Sequence, residues 1–485
     1  MSGSAVLLII VIYFLVLMLI SFVVGRKSTD NDAFFLGNRQ SPWWVVAIGM
    51  VGSSISGVSF VSVPGMVGNI GFSYMQTVFG FFFGYIVIAN VLLPLYYRLQ
   101  LTSIYTYLGT RFGNNAYKTG ASFFLLSKTI GAAARLYVVA LILQTVVFEA
   151  WDIPFHFTVV GIILLIWLYT FRSGIKTIVW TDTLQTLIMI TAMSLLLWQL
   201  TEAIDGSLSD VVAKVRAQGN AYIFVFDDWH SKQHFVKQFF SGIFIAIVMT
   251  GLDQDMMQKN LTCRNLPDAK KNMYWYGLSF VPVNLLFLSI GAMLLLLAQQ
   301  NNIALPQMGD QILPLFATQH LGQGVMVLFV VGIIAAAFSS ADSALAALTT
   351  SFSVDILGID QQNNEHSKKT RMWVHIGISV IFAFIIIIFK ALNNKSVIDA
   401  IYIIASYTYG PLLGMYAFGL FTRLKTSDKA IPYIAILSPI ICFTIDKGVH
   451  YFLGYSFGYE LLMLNGLFTF VGLWVFREKN LNLKI

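Results

Sequence analysis

Val330 to Asp355 reads VVGIIAAAFSSADSALAALTTSFSVD. The run is long and apolar enough to cross a bilayer, which takes about 20 residues at about 1.5 Å each. Its middle nevertheless carries Ser339, Ser340, Asp342 and Ser343. Helix positions three and four apart share a face, so Ser339, Asp342 and Ser343 point together, with Ser340 on the adjoining edge. A carboxylate at that depth costs about 2.5–3.5 kcal/mol and points to function. Small and hydroxyl residues also let transmembrane helices approach closely, and Ala335 to Ala337 and Ala344 to Ala347 suit that use. With Asp342 among the serines, an ion or substrate site is the better reading.

The composition around this stretch is that of an all-α integral membrane protein. Of 485 residues, 57% are hydrophobic and 11% charged, where a soluble domain carries about 25% charged residues. The net charge of +7 is spread over short loops and is no nucleic-acid signal. Cys263 and Cys442 lie far apart and form neither a disulfide framework nor a metal motif. Ala5 to Val24 is too long for a signal peptide's apolar core and is read as a retained span. No soluble domain is expected at either end, and no obligate protein partner is evident.

Hydropathy gives about thirteen spans: 4–25, 42–68, 72–97, 119–148, 155–171, 177–201, 236–257, 273–299, 321–350, 372–390, 396–421, 430–452 and 455–476. One set of loops carries Arg26, Lys27, Arg39, Arg98, Arg111, Lys118, Arg172, Lys176, Lys259, Arg264, Lys270, Lys271, Lys368, Lys369, Arg371, Arg423, Lys425, Lys429 and the tail's Arg477, Lys479 and Lys484. The alternate loops hold only Lys214, Arg216, Lys232, Lys237, Lys390, Lys395 and Lys447. The first set is therefore cytoplasmic, with the N-terminus outside and the C-terminus inside a cell (plasma or inner) membrane. In the outer loop 202–235, Leu208, Val211, Val212 and Val215 recur at helical spacing.

Two spans carry breakers. Gly49, Gly52, Ser53, Ser54, Ser56, Gly57 and Ser59 run on to Pro64-Gly65, and Thr250-Gly251 is followed by Asp253, Gln254 and Asp255. Interrupted helices at corresponding places in two halves point to the midplane site of a secondary transporter. The chain then divides into a leading helix and loop (1–41), a first five-helix unit (42–201), an outer loop (202–235), a second unit (236–421) and two last spans with a tail (422–485).

Unwound carbonyls and hydroxyls are hard oxygen ligands suited to Na⁺. The expected site takes the carbonyls of Gly52, Ile55 and Ala336 with the hydroxyls of Ser339 and Ser340. Asp182 is a second buried-acid candidate, with a helix N-cap or interfacial charge as its alternative. Asp182 and Asp342 could instead exchange protons, which would make H⁺ the coupling ion. Arg135 either pairs with a buried aspartate or grips an anionic substrate group. Lys128, two turns nearer the cytoplasmic end, is expected to snorkel. Gln76 faces either a cavity or its packing neighbours. His320 and His375 are expected at the membrane interface, and no HExxH, GxSxG or P-loop is present, so the chain is not read as an enzyme.

Several motifs in order resemble the sodium/solute symporter family over about residues 5–425: Asp32 to Arg39 with Pro42-Trp43-Trp44, Leu93 to Arg98 with Tyr105 to Gly113, Trp180-Thr181-Asp182 to Gln185, and Asp253-Gln254 to Gln258-Lys259, with Lys for the family's Arg. The resemblance implies a five-plus-five inverted-repeat fold with broken first and sixth core helices and an extra leading helix. It implies Na⁺ at the site above, and a second sodium at Asp182, Ser339, Asp342 and Ser343, where Asp342 stands in place of a serine. It carries substrate contacts onto Ser54, Ser56, Ser59, Phe72 and Gln76. The sialic acid symporters' substrate arginine aligns with Ala132, one turn before Arg135, and the sugar symporters' glutamine falls near Ala405. The expected function is Na⁺-coupled symport of a small organic solute into the cell, an organic anion or a sugar-like compound. A proton-coupled transporter and a solute-binding sensor without net transport are the rivals.

Overall fold

The computed structural model describes residues 3–25, 31–170, 174–204, 208–359, 365–392 and 397–478. Arg26, Lys27, Arg172, Lys395, Lys479 and Lys484 lie outside them. Among the described residues the chain is helical throughout, with two isolated bridges and no strand. Eight helices are long and apolar enough to cross a bilayer, and two bent pairs bring the number to ten. In chain order we label α1 (Gly3–Gly25), the bent pair α2 (Trp43–Ser54) and α3 (Gly57–Gly65), α4 (Tyr74–Arg98), α5 (Asn114–Phe148), α6 (Phe155–Thr170), α7 (Gly174–Ala203) and α8 (Leu208–Ala217). The second bent pair is α9 (Phe235–Gly251) and α10 (Gln254–Leu261). Then follow α11 (Leu266–Gln300), α12 (Gly322–Ile356), α13 (Glu365–Leu392), α14 (Val397–Phe421), α15 (Ile431–Leu453) and α16 (Leu461–Val475).

Burial sorts these helices by what their sequences can face. α1 turns Leu8, Leu15 and Leu19 outward and α13 turns out Trp373, Val380 and Phe384, as a lipid-facing perimeter requires. α12 is buried from Phe329 to Ser351 with the exception of Val331. Its alanines and serines suit the centre, where α7, α5, α2 and α3 all pack on it. The α7–α12, α4–α9 and α5–α14 contacts each join the first half of the chain to the second.

Both expected breaks, at the glycine and serine cluster and at Thr250-Gly251, are present, with bends of 61° at residues 55–56 and 65° at 252–253. α4 and α9 approach closely because neither carries a side chain at the crossing. A Cβ on Gly80 would lie 2.2 Å from the Phe239 carbonyl oxygen, and one on Gly242 would lie 2.3 Å from that of Thr77. Gly242→Val should therefore cost about 1–3 kcal/mol by overpacking. Gly377→Ala, mid-helix and with nothing within 4 Å of its Cβ, should instead leave thermal unfolding in detergent no lower than wild type, with a gain of up to about 1 kcal/mol.

Three expectations need correction here. Gln76 does not open to the central cavity: its amide nitrogen donates to the Gln233 carbonyl (2.9 Å) and its oxygen accepts from the Val225 N–H (3.0 Å). It pins the stretch after α8, whose Val211 and Val215 are buried while Val212 is exposed. His375 is buried, not interfacial, and bridges Thr349 (2.8 Å) and Thr170 (3.2 Å) across three helices. Lys128 does not snorkel. Its ammonium lies 2.7 Å from Asp255 and 3.2 Å from Asp253, so the energy of two carboxylates holds it inside.

Candidate functional site

The first break is held against α12 at both ends. Ser53 Oγ lies 3.4 Å from Ser339 Oγ, and a Cβ on Gly57 would lie 3.7 Å from that of Ala337. Residues 54–56 therefore cross the α12 turn that carries Ala336, Ser339 and Ser340. Ile55 and Ser56 leave helical geometry (ψ of 88° and 171°), and among the described residues no backbone N–H closes onto the Gly52 or Ile55 carbonyl. Ser340 donates back to the Ala337 and Ala336 carbonyls (3.0 and 3.2 Å), leaving its oxygen lone pairs available to a cation. Gly52 is required, since a Cβ there would lie 2.0 Å from Thr186 Oγ1.

The second break is closed by side chains. Tyr96 donates to the Gly251 carbonyl (2.8 Å) and Tyr105 to that of Leu252 (3.0 Å). Asp253 caps α10 by accepting from the Asp255 and Met256 N–H groups (2.9 and 3.3 Å). Gln254 clamps the Thr102 carbonyl and the Ile104 N–H, and Gln258 reaches the Phe35 carbonyl (2.8 Å). Freed backbone survives at membrane depth only when something satisfies it. At 251–252 tyrosines do so, while among the described residues no backbone N–H does so for the carbonyls at 52 and 55.

Asp182 is fully buried within α7, which excludes both the N-cap and the interfacial readings. Its Oδ1 accepts from Ser339 (2.7 Å), and its Oδ2 accepts from Ser53 (2.9 Å) and Ser343 (3.2 Å). The Lys259 ammonium lies 2.8 Å from the same Oδ2, bonds Ser53 Oγ and stands 3.6 Å from Asp255. Asp342, also fully buried, accepts from the Ser343 N–H (2.5 Å) and shares the one Ser343 hydroxyl proton with Asp182 at the same 3.2 Å distance. The structure thus brings together Asp182, Ser339, Asp342 and Ser343, around a lysine that hydropathy counts as a loop charge.

A cavity opens beside the break. Ser54, Ser56 and Ser59 line it with Arg135, Lys128 and Tyr402. Phe72 and Gln76 lie outside this wall. Ser54 bonds Tyr276 (2.6 Å), and among the described residues no hydrogen bond or ion pair holds the Arg135 guanidinium. Ala132 and Ala405, where relatives are expected to present substrate side chains, line the wall with methyl groups alone. Asp253 also faces the cavity, paired with Lys128 and accepting from Tyr409 (2.5 Å). Lys128 was legible in one respect: it is seven residues, two helical turns, before Arg135 and so shares its face. Tyr409, in an apolar run, offered no such signal.

A model of the sodium:solute symporter family matches residues 34–434. The sodium/sialic acid symporter SiaT of Proteus mirabilis (strain HI4320) is 23% identical over 434 residues, covering 87% of this chain and 86% of that one. The human sodium-coupled monocarboxylate transporter 1 is 24% identical over 425 residues, covering 85% and 67%. A solved substrate-bound, outward-open state of a Na⁺-coupled sialic acid symporter matches with a TM-score of 0.82 at 21% identity, over 98% of this chain and 97% of that one. The two share a fold. The chain belongs to the sodium:solute symporter family.

Proposed function

We propose that this member of the sodium:solute symporter family carries a small organic carboxylate into the cell with Na⁺, as a multi-pass protein with its N-terminus outside and C-terminus in the cytoplasm. On this reading α6, α14 and α16 also cross, giving thirteen spans, and residues 42–201 and 236–421 form the two inverted five-helix repeats. Na⁺ enters from outside and takes the carbonyls of Gly52, Ile55 and Ala336 with the hydroxyls of Ser339 and Ser340. It fixes α2 and α3 against α12, which stabilises the substrate-binding state before the halves rock inward. Asp182 is no free proton carrier while Lys259 pairs with it, so Na⁺ is favoured over H⁺.

One observation carries the substrate class: a guanidinium without a protein partner among the described residues, in a cavity that serines also line. Arginine binds carboxylates through paired, charge-assisted hydrogen bonds. Sialic acid and monocarboxylate, the substrates in the relatives' names, both carry that group. For a neutral solute one Na⁺ supplies about 2.3 kcal/mol per 100 mV and about 1.4 kcal/mol per tenfold gradient, together roughly 500-fold accumulation. With a monovalent anion the pair carries no net charge, and only the Na⁺ gradient drives uptake.

The test is a panel of carboxylates and neutral sugars in proteoliposomes, with Na⁺ or choline outside. Arg135→Gln should raise KM for the carboxylate at least tenfold, about 1.4 kcal/mol, and leave kcat within a few-fold. Ser340→Ala should raise the half-saturating Na⁺ concentration by a similar factor. Uptake that is indifferent to choline replacement would end the Na⁺ reading.

A further inference from the structure

We infer that Lys259 is a built-in cation that takes the place of a second Na⁺, so that the chain binds one sodium ion and not two. The inference rests on the sodium coupling proposed above. Asp182, Ser339 and Ser343 converge as a second cation site requires, but the position is already filled. An ionised carboxylate offers about four acceptor sites on its two oxygens. On Asp182 the crowding falls on Oδ2, which has the Lys259 ammonium and the Ser53 and Ser343 hydroxyls within 3.2 Å, while Oδ1 accepts from Ser339. A sodium ion on Oδ2 would have to displace one of these donors, and one on Oδ1 would still face the ammonium across the same carboxylate, where like charge repels it.

Lysine is also held from its other end. α10 begins at the capped Asp253, Gln258 ties that helix to the Phe35 carbonyl, and Asp255 one turn before Lys259 lies 3.6 Å from its ammonium. The ammonium is therefore fixed between Asp182 of the first half and Asp255 of the second, with 1% of its side chain exposed. Asp342, the acid standing where a serine is expected, adds negative charge to the same cluster and favours a permanent cation there. Ser339, which donates to Asp182 and belongs to the first sodium site, lets the fixed charge sense whether that site is filled.

The probe is Na⁺ alone, as ²²Na⁺ in equilibrium binding to the full chain in nanodiscs. Wild type should bind one ion per chain, and Lys259→Met, which keeps the length and removes the charge, should bind two. Ser340→Ala should weaken the single wild-type site about tenfold, and in the Lys259→Met background it should weaken one of the two ions by that factor and leave the other unchanged. Lys259→Gln serves in the same role if methionine does not fold, and the wild-type count decides by itself between one and two. Two ions on wild type, or one on both proteins, would overturn the inference. No sodium on wild type would overturn the coupling reading first, and this inference with it, so the two failures are distinct.

Discussion

Asp182→Ala is expected to lower stability by about 3–5 kcal/mol, the usual result of leaving one member of a buried ion pair alone, and to abolish uptake. The carboxylate receives three hydroxyls and an ammonium from α2, α12 and α10. Its loss strands Lys259 at 1% exposure. Asp342 of the same cluster and Asp255 at 3.6 Å are the remaining counter-charges, and Lys128 already claims Asp255 at 2.7 Å. Sodium cannot repair this variant, since the unpaired charge is positive. Lys259→Met should be rescued by sodium, because the unpaired charge is then negative. The contrast separates a charge argument from simple loss of packing: melting temperature in Na⁺ against choline should rise in Lys259→Met and stay flat in Asp182→Ala. Asp182→Asn with Lys259→Met removes both charges and should recover most of the stability, with a coupling of about 0.5–3 kcal/mol in the double-mutant cycle. Equal melting of Asp182→Ala and wild type would show that the pair does not hold the helices together.

What the sequence made legible follows from how each feature is encoded. Both bends could be read because a glycine and serine cluster interrupts one apolar run and Thr250-Gly251 with Asp253, Gln254 and Asp255 interrupts the other, and the chain bends at 55–56 and 252–253. Asp342 and Asp182 stood out because a carboxylate in an apolar run is costly wherever it points. Partners were another matter. Hydropathy assigned Lys259 to a loop, since residues 258–271 are locally polar. Only the 65° bend turns α10 back into the protein and delivers its ammonium to Asp182. The same bend delivers Asp253 and Asp255 to Lys128. A lysine snorkels toward the nearest interface when its own helix is all that surrounds it, whereas here a second helix brings acids to Lys128. Gln76 erred in the opposite sense: its polar groups meet the outer loop, whose path local sequence does not specify.

Lys128→Met should be nearly as damaging as Asp182→Ala, about 3–5 kcal/mol, although hydropathy alone treats it as a boundary residue. Its ammonium joins α5 to the start of α10 through Asp255 (2.7 Å) and Asp253 (3.2 Å), and Asp253 also receives Tyr409 of α14 (2.5 Å). Removing the cation leaves two buried carboxylates, two residues apart at the start of α10, without their shared partner. Asp255 would then depend on Lys259 alone, at 3.6 Å. That shift would draw the Lys259 ammonium away from Asp182, so damage at the cavity reaches the sodium-binding region by a chain of alternating charges. Asp253→Asn in the Lys128→Met background restores the local charge balance and keeps an acceptor for Tyr409. It should recover at least half of the lost stability in thermal unfolding. Uptake should not recover with it, because Lys128 and Asp253 both face the substrate cavity beside Arg135. A double variant that regains transport together with its melting temperature would assign the pair to structure alone and leave Arg135 as the cavity's working cation.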